Sequence, residues 1–352
     1  MSKDAYRMFL KLTVALGVAA VAFSVHTARA QTLKPVSAGL IDRQGFPDLD
    51  ARITINTFVV RVKWTELQPS SFGEILADNP IQKAIDDVEH SPIADNAQIK
   101  VRVLAGDDAP LWAKTIAGAP VTLVNNADEN GDEVTVGRFW KSAYQAAYAD
   151  LQSKLAAKYD SEPLIADVTI SGCMTVFAEP MIRQTGNAQN RENLLKAEYT
   201  KADDLICQTA AIQAHDAWKL THSSLAANPY QFVNPNGSPG SSVPDALAIL
   251  DDCRRILGAR CVLENNSLRQ EYISGSGNYQ TLYAGMLQRG GPIVFQTATA
   301  DKVGNLPAVL DWAVLKKVAA IELPREFPQL LTEQQITDYD RALTLNAEIN
   351  SR

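Results

Sequence analysis

Three glutamates follow short apolar runs of the sequence, and they are the side chains best suited to chemistry. Glu179 ends the run VTISGCMTVFAE, Glu264 follows CVL, and Glu322 follows AAI. A carboxylic acid can protonate a leaving oxygen, and a carboxylate can attack an anomeric carbon or activate water. These residues therefore predict chemistry on a glycosidic bond.

Polar and aromatic side chains at the ends of the other apolar runs predict a ligand rich in hydroxyl groups. Amide, guanidinium and imidazole groups can form hydrogen bonds with hydroxyls, and aromatic rings offer flat apolar faces. The combination favours a carbohydrate substrate or ligand over hydride, phosphate or metal chemistry. The residues predicted to bind it are Asp42, Arg43, Trp64, Trp112, Arg183, His222, Asn228, Tyr230, Asn265 and Gln296.

These side chains are far apart in the sequence, so the fold must bring them together. The alternation of apolar and amphipathic segments indicates which fold does so. Short β-branched runs alternate with longer amphipathic segments, as is typical of parallel βα units. Eight strand candidates predict an α/β fold, a single-domain (β/α)8 TIM barrel over residues 31–352, whose active site lies at the C-terminal ends of the strands. A doubly wound sheet is the main rival, but neither GxGxxG nor GxxxxGK[ST] occurs in the sequence.

Local signals refine this arrangement between the strands. Asn79 followed by Pro80 predicts the start of a helix. The segment GAPVTLVNNADENGDEVTVG predicts a β-excursion with a tight turn at ENGDE. Residues 226–244 are rich in Gly, Pro, Ser and Asn, which predicts an irregular loop.

The first 30 residues have the features of a secretory signal peptide. Lys3, Arg7 and Lys11 precede the apolar run LTVALGVAAVAFSV, and ARA ends at Ala30. A basic segment, a short apolar run and a small-x-small site predict cleavage after Ala30. The mature protein is therefore expected to be secreted or periplasmic, without a stable membrane anchor.

Charge and cysteine content narrow the partners and the redox environment. The formal net charge of −7 argues against nucleic-acid binding, which favours a basic surface. The four cysteines of an exported chain are compatible with two disulfides. Three pairings exist, and Cys173–Cys207 with Cys253–Cys261 is favoured because each joins consecutive predicted elements. No CxxC pair occurs and the histidines lack ligand spacing, so neither a metal nor a cofactor is predicted. Nothing in the sequence indicates the oligomeric state.

The chain resembles the glycoside hydrolases of the large retaining (β/α)8 clan, particularly the β-galactosidase branch. The resemblance is carried by VVRVKWTELQPSSFG, KVRVLAGDDAPLWAK, FWKSAYQAAYADLQSKLAAKYD and VTISGCMTVFAEP. It covers residues 58–183 best and is weak afterwards. It implies that Glu179 is the general acid/base and that Trp64 and Trp112 line the sugar site.

Two positions depart from the pattern of that clan. Ala178 stands where an Asn usually precedes the acid/base, and Gln296 stands on the seventh strand where the nucleophile is expected. A neutral amide is a poor nucleophile, so the second carboxylate is Glu322 or Glu264, or the barrel binds a glycan without cleaving it. A third hypothesis is a different barrel enzyme in which Lys63 forms a Schiff base with the substrate.

Overall fold

The computed structural model describes residues 32–47, 55–125 and 132–350. The predicted signal peptide, residues 1–30, lies outside the described residues. None of the helices in the described ranges is long and apolar enough to cross a membrane.

Eight parallel strands close into a barrel, as the sequence predicts. In their order around the barrel they are β1 (Gly39–Asp42), β2 (Thr57–Lys63), β3 (Gln98–Leu104), β6 (Ile165–Thr169), β7 (His222–Ala226), β10 (Cys261–Leu268), β11 (Ile293–Thr297) and β12 (Ala320–Glu322). The barrel is closed by β12, in which Ile321 pairs with Leu40 of β1. Spatial order equals chain order, so each strand follows its neighbour through a crossover, as in a TIM barrel.

Helices connect most of these strands and cover the outside of the barrel. They are α1 (Trp64–Leu67), α2 (Pro80–Glu89), α3 (Leu111–Thr115), α4 (Ser142–Tyr159), α5 (Ala188–Lys196), α6 (Lys201–Ala214), α7 (Val243–Leu257), α8 (Gln270–Ser274), α9 (Asn278–Gln288), α10 (Ala300–Val303), α11 (Leu306–Leu315), α12 (Phe327–Leu330) and α13 (Glu333–Asn350). Helix α2 begins as predicted, because the Asn79 side chain accepts hydrogen bonds from the backbone of Ile81 and Gln82.

Two antiparallel hairpins interrupt the βα pattern. Strands β4 (Val121–Val124) and β5 (Glu133–Val136) form the predicted excursion, although most of its turn lies outside the described residues. Strands β8 (Tyr230–Val233) and β9 (Pro239–Ser242) form a second hairpin. The prediction of an irregular loop over residues 226–244 is therefore wrong. The sequence PGSS of β9 lacks β-branched residues, so its pairing with YQFV gave no strand signal.

The barrel interior contains both apolar and polar side chains. Ile41, Val59, Val262, Val294 and Ala320 belong to a small buried apolar cluster. A larger core fills the space between the strands and the helices. Gln296 and Glu322 follow Val294 and Ala320 on the same strands, so these polar side chains lie nearer the C-terminal ends.

Both disulfides have the predicted pairing. Cys173, which follows β6, is bonded to Cys207 on α6, and Cys253 on α7 is bonded to Cys261, the first residue of β10. Each bond ties a helix to a barrel strand or to the loop after it.

Candidate active site

Strand β3 carries two cations into the barrel interior. Side chains alternate across a strand, and Ile99, Val101 and Val103 pack into the core between the strands and the helices. Lys100 and Arg102 therefore point inward. Lys100 is fully buried and Arg102 is 4% exposed. Burying a cation is costly unless anions surround it, so such an interior requires carboxylates.

Three carboxylates on other strands meet these cations. The ammonium Nζ of Lys100 lies 2.8 Å from Oε2 of Glu264 on β10 and 3.1 Å from Oε1 of Glu322 on β12. It lies 3.6 Å from Oδ2 of Asp167 on β6. The Nη2 atom of Arg102 lies 2.5 Å from Oε1 of Glu322 and 3.3 Å from Oε1 of Glu264. The two candidate second carboxylates thus lie together, and each is paired with both cations.

When every group is ionised, the three carboxylates outnumber the two cations, so this buried cluster has a net charge of −1. Burial raises the pKa of Glu264 to about 7, helped by the charge of Glu322 and opposed by Lys100. Burial would raise the pKa of Glu322 as well, but Arg102 and Lys100 outweigh it and lower that pKa. The environment therefore separates the two pKa values, so that Glu264 tends to keep a proton while Glu322 stays ionised.

Glu179 lies on the loop after β6, at the C-terminal end of the barrel. It is 6% exposed, and its Oε1 accepts a hydrogen bond of 3.0 Å from Nδ2 of Asn228. The Nη1 atom of Arg183 lies 3.7 Å from the same oxygen. The guanidinium of Arg183 also covers the ring of Phe177, 5.3 Å from its centroid. Oε1 therefore has one hydrogen-bond donor and one cationic neighbour.

Asn228 is held in turn by Asn265 and Tyr283. Nδ2 of Asn265 donates to Oδ1 of Asn228 at 2.7 Å, and the hydroxyl of Tyr283 on α9 donates to Oδ1 of Asn265 at 2.9 Å. Asn228, Asn265 and Tyr283 are all buried. We call this series of hydrogen bonds, which ends at Glu179, the amide chain.

Arg102 contacts Gln296 as well as the glutamates of the buried cluster. Burial lowers the pKa of Arg102, but Glu322, Glu264 and Glu179 together raise it above its ordinary value. Its Nη1 atom donates to Oε1 of Gln296 at 3.1 Å. Gln296, on the strand where the resemblance predicts a nucleophile, therefore contacts the same guanidinium as Glu322 and Glu264.

Asp42 and Arg43 lie where β1 ends, and both make local contacts. Arg43 donates through Nη1 to the backbone oxygen of Thr297, at the end of β11. Asp42 accepts from the backbone of Gln44 at 2.8 Å, and burial raises its pKa. Arg43 thus spans the edge of the barrel, whereas Asp42 shapes the turn that follows β1.

Trp64 and Trp112 do not present a pair of open ring faces. Trp64 is fully buried, and its ring meets the edges or faces of Trp112, Tyr144 and Tyr148 at centroid distances of 5.6–6.2 Å. Its Nε1 donates to Oε1 of Gln68. Trp64 is therefore a core residue in this structure rather than a sugar platform, whereas Trp112 is partly exposed.

Tyr230 and His222 are also placed differently from the expected rim residues. Tyr230 is 1% exposed and its ring stacks against Phe232 at 6.1 Å. His222 is the first residue of β7, not a residue after the strand, so it lies at the N-terminal end of the barrel. Its Nε2 contacts the backbone oxygen of Lys34, and burial lowers its pKa. Tyr230 is therefore a buried residue, and His222 lies at the end of the barrel opposite the mouth.

The environment of Lys63 is unsuited to Schiff-base formation. Its ammonium lies 3.1 Å from Oδ1 of Asp108, and this hydrogen bond raises the pKa of Lys63. Imine formation requires the neutral amine, which this pairing disfavours.

Sequence reasoning missed Lys100 and Arg102, which pair with the candidate carboxylates, and Asp167, a third carboxylate beside Lys100. The signal was present in QIKVRVL, where two cations alternate with aliphatic residues inside a predicted parallel strand. Both faces of such a strand are normally buried, so a charged residue within it predicts ion pairs inside the barrel.

No protein-family model matches the chain, and no curated protein sequence matches it. Among solved structures, endo-glycoceramidase II from Rhodococcus sp. is 11% identical, with 88% of this chain and 80% of that chain covered and a TM-score of 0.47. The catalytic domain of β-amylase from Paenibacillus polymyxa is 9% identical, with coverage of 83% and 91% and a TM-score of 0.48. A β-mannanase from the blue mussel Mytilus edulis is 12% identical, with coverage of 84% and 80% and a TM-score of 0.44. These structural neighbours are glycoside hydrolases, but values this low carry no argument about the activity of this chain.

Proposed function

We propose that the protein is an exported glycoside hydrolase that acts on an oligosaccharide or glycoside at the C-terminal mouth of the barrel. Glu179 is the general acid/base and Glu322 is the second carboxylate. The observation that supports this most is the contact of two of the glutamates with Arg102. Glu322 and Glu264 both lie close to its Nη2 atom, and the charge of Glu179 helps to raise the pKa of the same guanidinium.

The electrostatics favour Glu322 over Glu264 as the second carboxylate. A nucleophile or base must be ionised, and Arg102 and Lys100 keep the pKa of Glu322 low. Burial raises the pKa of Glu264 to about 7, so a large fraction of that group is protonated at neutral pH, whereas Glu322 is ionised. Glu264 then balances the charge of the cluster while Glu322 faces the developing positive charge of the sugar ring.

The reaction that these groups fit is acid-assisted departure of the aglycone. Glu179 gives its proton to the glycosidic oxygen as the bond between that oxygen and the anomeric carbon breaks, its electron pair staying on oxygen. Glu322 stabilises the oxocarbenium-like carbon by attacking it or by deprotonating a water. Arg183, close to Glu179, stabilises the carboxylate that remains after the proton has left.

A screen of aryl glycosides and oligosaccharides tests this proposal. Wild type is compared with Glu179→Gln, Glu322→Gln and Glu264→Gln, with Glu89→Gln on the exposed end of α2 as the matched control. Glu179→Gln and Glu322→Gln should each lose at least about a hundredfold in rate, as expected for a general acid or a nucleophile. Equal hydrolysis by wild type and Glu179→Gln would show that the central assignment is wrong.

Gln296 favours a second candidate function, a barrel that binds a glycan without cleaving it. The strand position expected to carry the nucleophile holds a neutral amide, and both neighbouring glutamates are neutralised by cations. In that case oligosaccharides bind wild type and Glu322→Gln with similar affinity, and no glycoside is hydrolysed by either. Calorimetric titration with the same oligosaccharide panel separates the two functions.

The two disulfides support the export part of the proposal. Such bonds persist in oxidising compartments. We propose that cleavage after Ala30 releases residues 31–352 as one barrel domain. N-terminal sequencing of the protein recovered from the periplasm or the medium, with Gln31 as its first residue, is the expected result.

A further inference from the structure

The amide chain has a direction that its backbone contacts determine. Nδ2 of Asn265 donates to the backbone oxygen of Ala227 at 2.7 Å, and Oδ1 of Asn265 accepts from the backbone nitrogen of Ser267 at 2.9 Å. A carbonyl can only accept and a backbone N–H can only donate, so the amide of Asn265 cannot be flipped. The ladder between β10 and β11 shifts register between Asn265 and Leu268, which leaves Ser267 available for this contact.

Asn265 then dictates the orientation of Asn228. With Ala227 and Asn228 as acceptors and Ser267 and Tyr283 as donors, Asn265 makes all four hydrogen bonds open to an amide side chain. Burial raises the pKa of Tyr283, so its hydroxyl remains a neutral donor. Asn228 must present Oδ1 to Asn265, which leaves its Nδ2 as a donor to Glu179.

The two oxygens of Glu179 are therefore not equivalent. Oε1 receives the N–H of Asn228 and faces Nη1 of Arg183, and both interactions require an unprotonated oxygen. Among the described residues, no group donates a hydrogen bond to Oε2.

We propose that Asn265 and Tyr283 are positioning residues that act through Asn228 and keep the transferable proton of Glu179 on Oε2. This inference rests on the proposed function only for the identity of the group that accepts the proton. In the reaction, the proton leaves Oε2 for the glycosidic oxygen, and Oε1 retains its hydrogen bond before and after the transfer. The chain thereby removes one of two rotational states of the acid and stabilises its ionised product.

The test measures the protonation of Glu179 without substrate. Protein carrying 13C at the glutamate side-chain carboxyls is titrated by NMR, and Glu179→Gln identifies the signal. Asn228→Asp replaces the donor by a carboxylate that still accepts from Asn265, so the pKa of Glu179 should rise by at least about one unit, a tenfold change in proton affinity. Asn96→Asp, in an exposed position before β3, is the control and should leave the signal unchanged.

Two milder variants keep the test valid if Asn228→Asp does not fold. Tyr283→Phe removes one donor to Asn265, and Asn228→Ser shortens the link to Glu179. Both should raise the pKa of Glu179, by less than Asn228→Asp, at a Tm that circular dichroism records separately. An unchanged titration of Glu179 in folded variants would overturn the inference. A shifted titration without hydrolysis of any glycoside would uphold it and count against the proposed function, so the two failures are distinguishable.

Discussion

Glu264 and Glu322 share one nitrogen of Arg102, with Nη2 lying 3.3 Å from Oε1 of the first and 2.5 Å from Oε1 of the second. One guanidinium thus neutralises two carboxylates on separate strands, β10 and β12. Lys100 contacts both glutamates through Nζ. Because all four side chains are nearly or completely buried, their charges are paired in a medium that screens them poorly.

Replacing Arg102 should strongly destabilise the barrel. Arg102→Met leaves Glu322 and Glu264 with Lys100 as their remaining partner, and breaking a buried ion pair on one side costs about 3–5 kcal/mol. Urea unfolding of Arg102→Met measures that loss. Arg255→Met removes an exposed arginine paired with Asp252 and should change the free energy of unfolding by less than about 1 kcal/mol. Equal stability of the two variants would contradict the structural importance of the cluster.

The pH dependence of stability should contain a contribution from Glu264. Its pKa rises from 4.5 to about 7 on folding, so between these pH values the folded state binds a proton that the unfolded state lacks. Stability from this group is therefore present below pH 4.5 and is lost as the pH rises through about 7, by at most about 1.4 kcal/mol per pH unit. Glu264→Gln should lose this part of the dependence, as measured by urea unfolding from pH 4 to 8.

His215 contributes to the pH dependence of stability with the opposite sign to Glu264. The comparison of wild type with Glu264→Gln is therefore needed to separate the two contributions. Burial lowers the pKa of His215 from 6.5 to about 3. Between these values the unfolded state binds the extra proton, so stability rises with pH. The wild-type curve contains both effects. Only the difference between wild type and Glu264→Gln isolates Glu264, and Glu89→Gln should follow the wild-type curve throughout.

The two disulfides should contribute unequally to stability. Cys173 and Cys207 are separated by 34 residues, and Cys253 and Cys261 by 8. Loop-closure entropy predicts losses of about 4 kcal/mol and about 2.5 kcal/mol when each pair is replaced by alanines. Urea unfolding of the two double variants measures both losses. A larger loss for the Cys253–Cys261 pair would contradict the entropic account.

The strand order was predictable because its signals are local. Runs such as FVVRVKW and PIVFQTA have β-branched residues, and Asn79 followed by Pro80 marks a helix start. Consecutive βα units in a parallel sheet permit few topologies, so correct strands lead to a closed barrel. The hairpin of β8 and β9 was missed because one of its two strands, β9 with the sequence PGSS, has no strand propensity.

The site was predictable only as far as strand ends could be counted. Counting placed Asn228, Asn265 and Gln296 on or after the ends of strands, where the structure has them. It placed Glu179 at the end of an apolar strand, but β6 ends at Thr169 and Glu179 lies in the long loop that follows. Counting placed His222 after the fifth barrel strand. In the structure β7 begins at His222, so the residue lies at the opposite end of that strand. Trp64 likewise lies after a strand, but its direction depends on packing with α4, which a linear sequence does not reveal.

Trp64 should affect stability and not substrate binding. Its ring is fully buried among Trp112, Tyr144 and Tyr148, so Trp64→Ala should cost about 3–5 kcal/mol. Trp64→Phe, which keeps a ring but loses the hydrogen bond to Gln68, should leave the KM of any hydrolysed glycoside within about twofold, a change of less than 0.5 kcal/mol. A large rise in KM for a stable Trp64→Phe would restore its predicted role as a sugar platform.

Introducing a carboxylate at Gln296 separates the two candidate functions most directly. Gln296 pairs in register with Glu322 on the adjacent strand and accepts from Nη1 of Arg102 at 3.1 Å. In Gln296→Glu the new carboxylate competes with Glu322 for Arg102. Repulsion between the two carboxylates also raises the pKa of Glu322. If Glu322 is the working carboxylate, hydrolysis should fall at least about tenfold, equivalent to about 1.4 kcal/mol in the barrier. Gln296→Met, which removes the amide without adding charge, is the matched control and should lose less. A gain of hydrolysis in Gln296→Glu, from a wild type that binds oligosaccharides without cleaving them, would instead identify a binding barrel that lacks its strand-seven nucleophile.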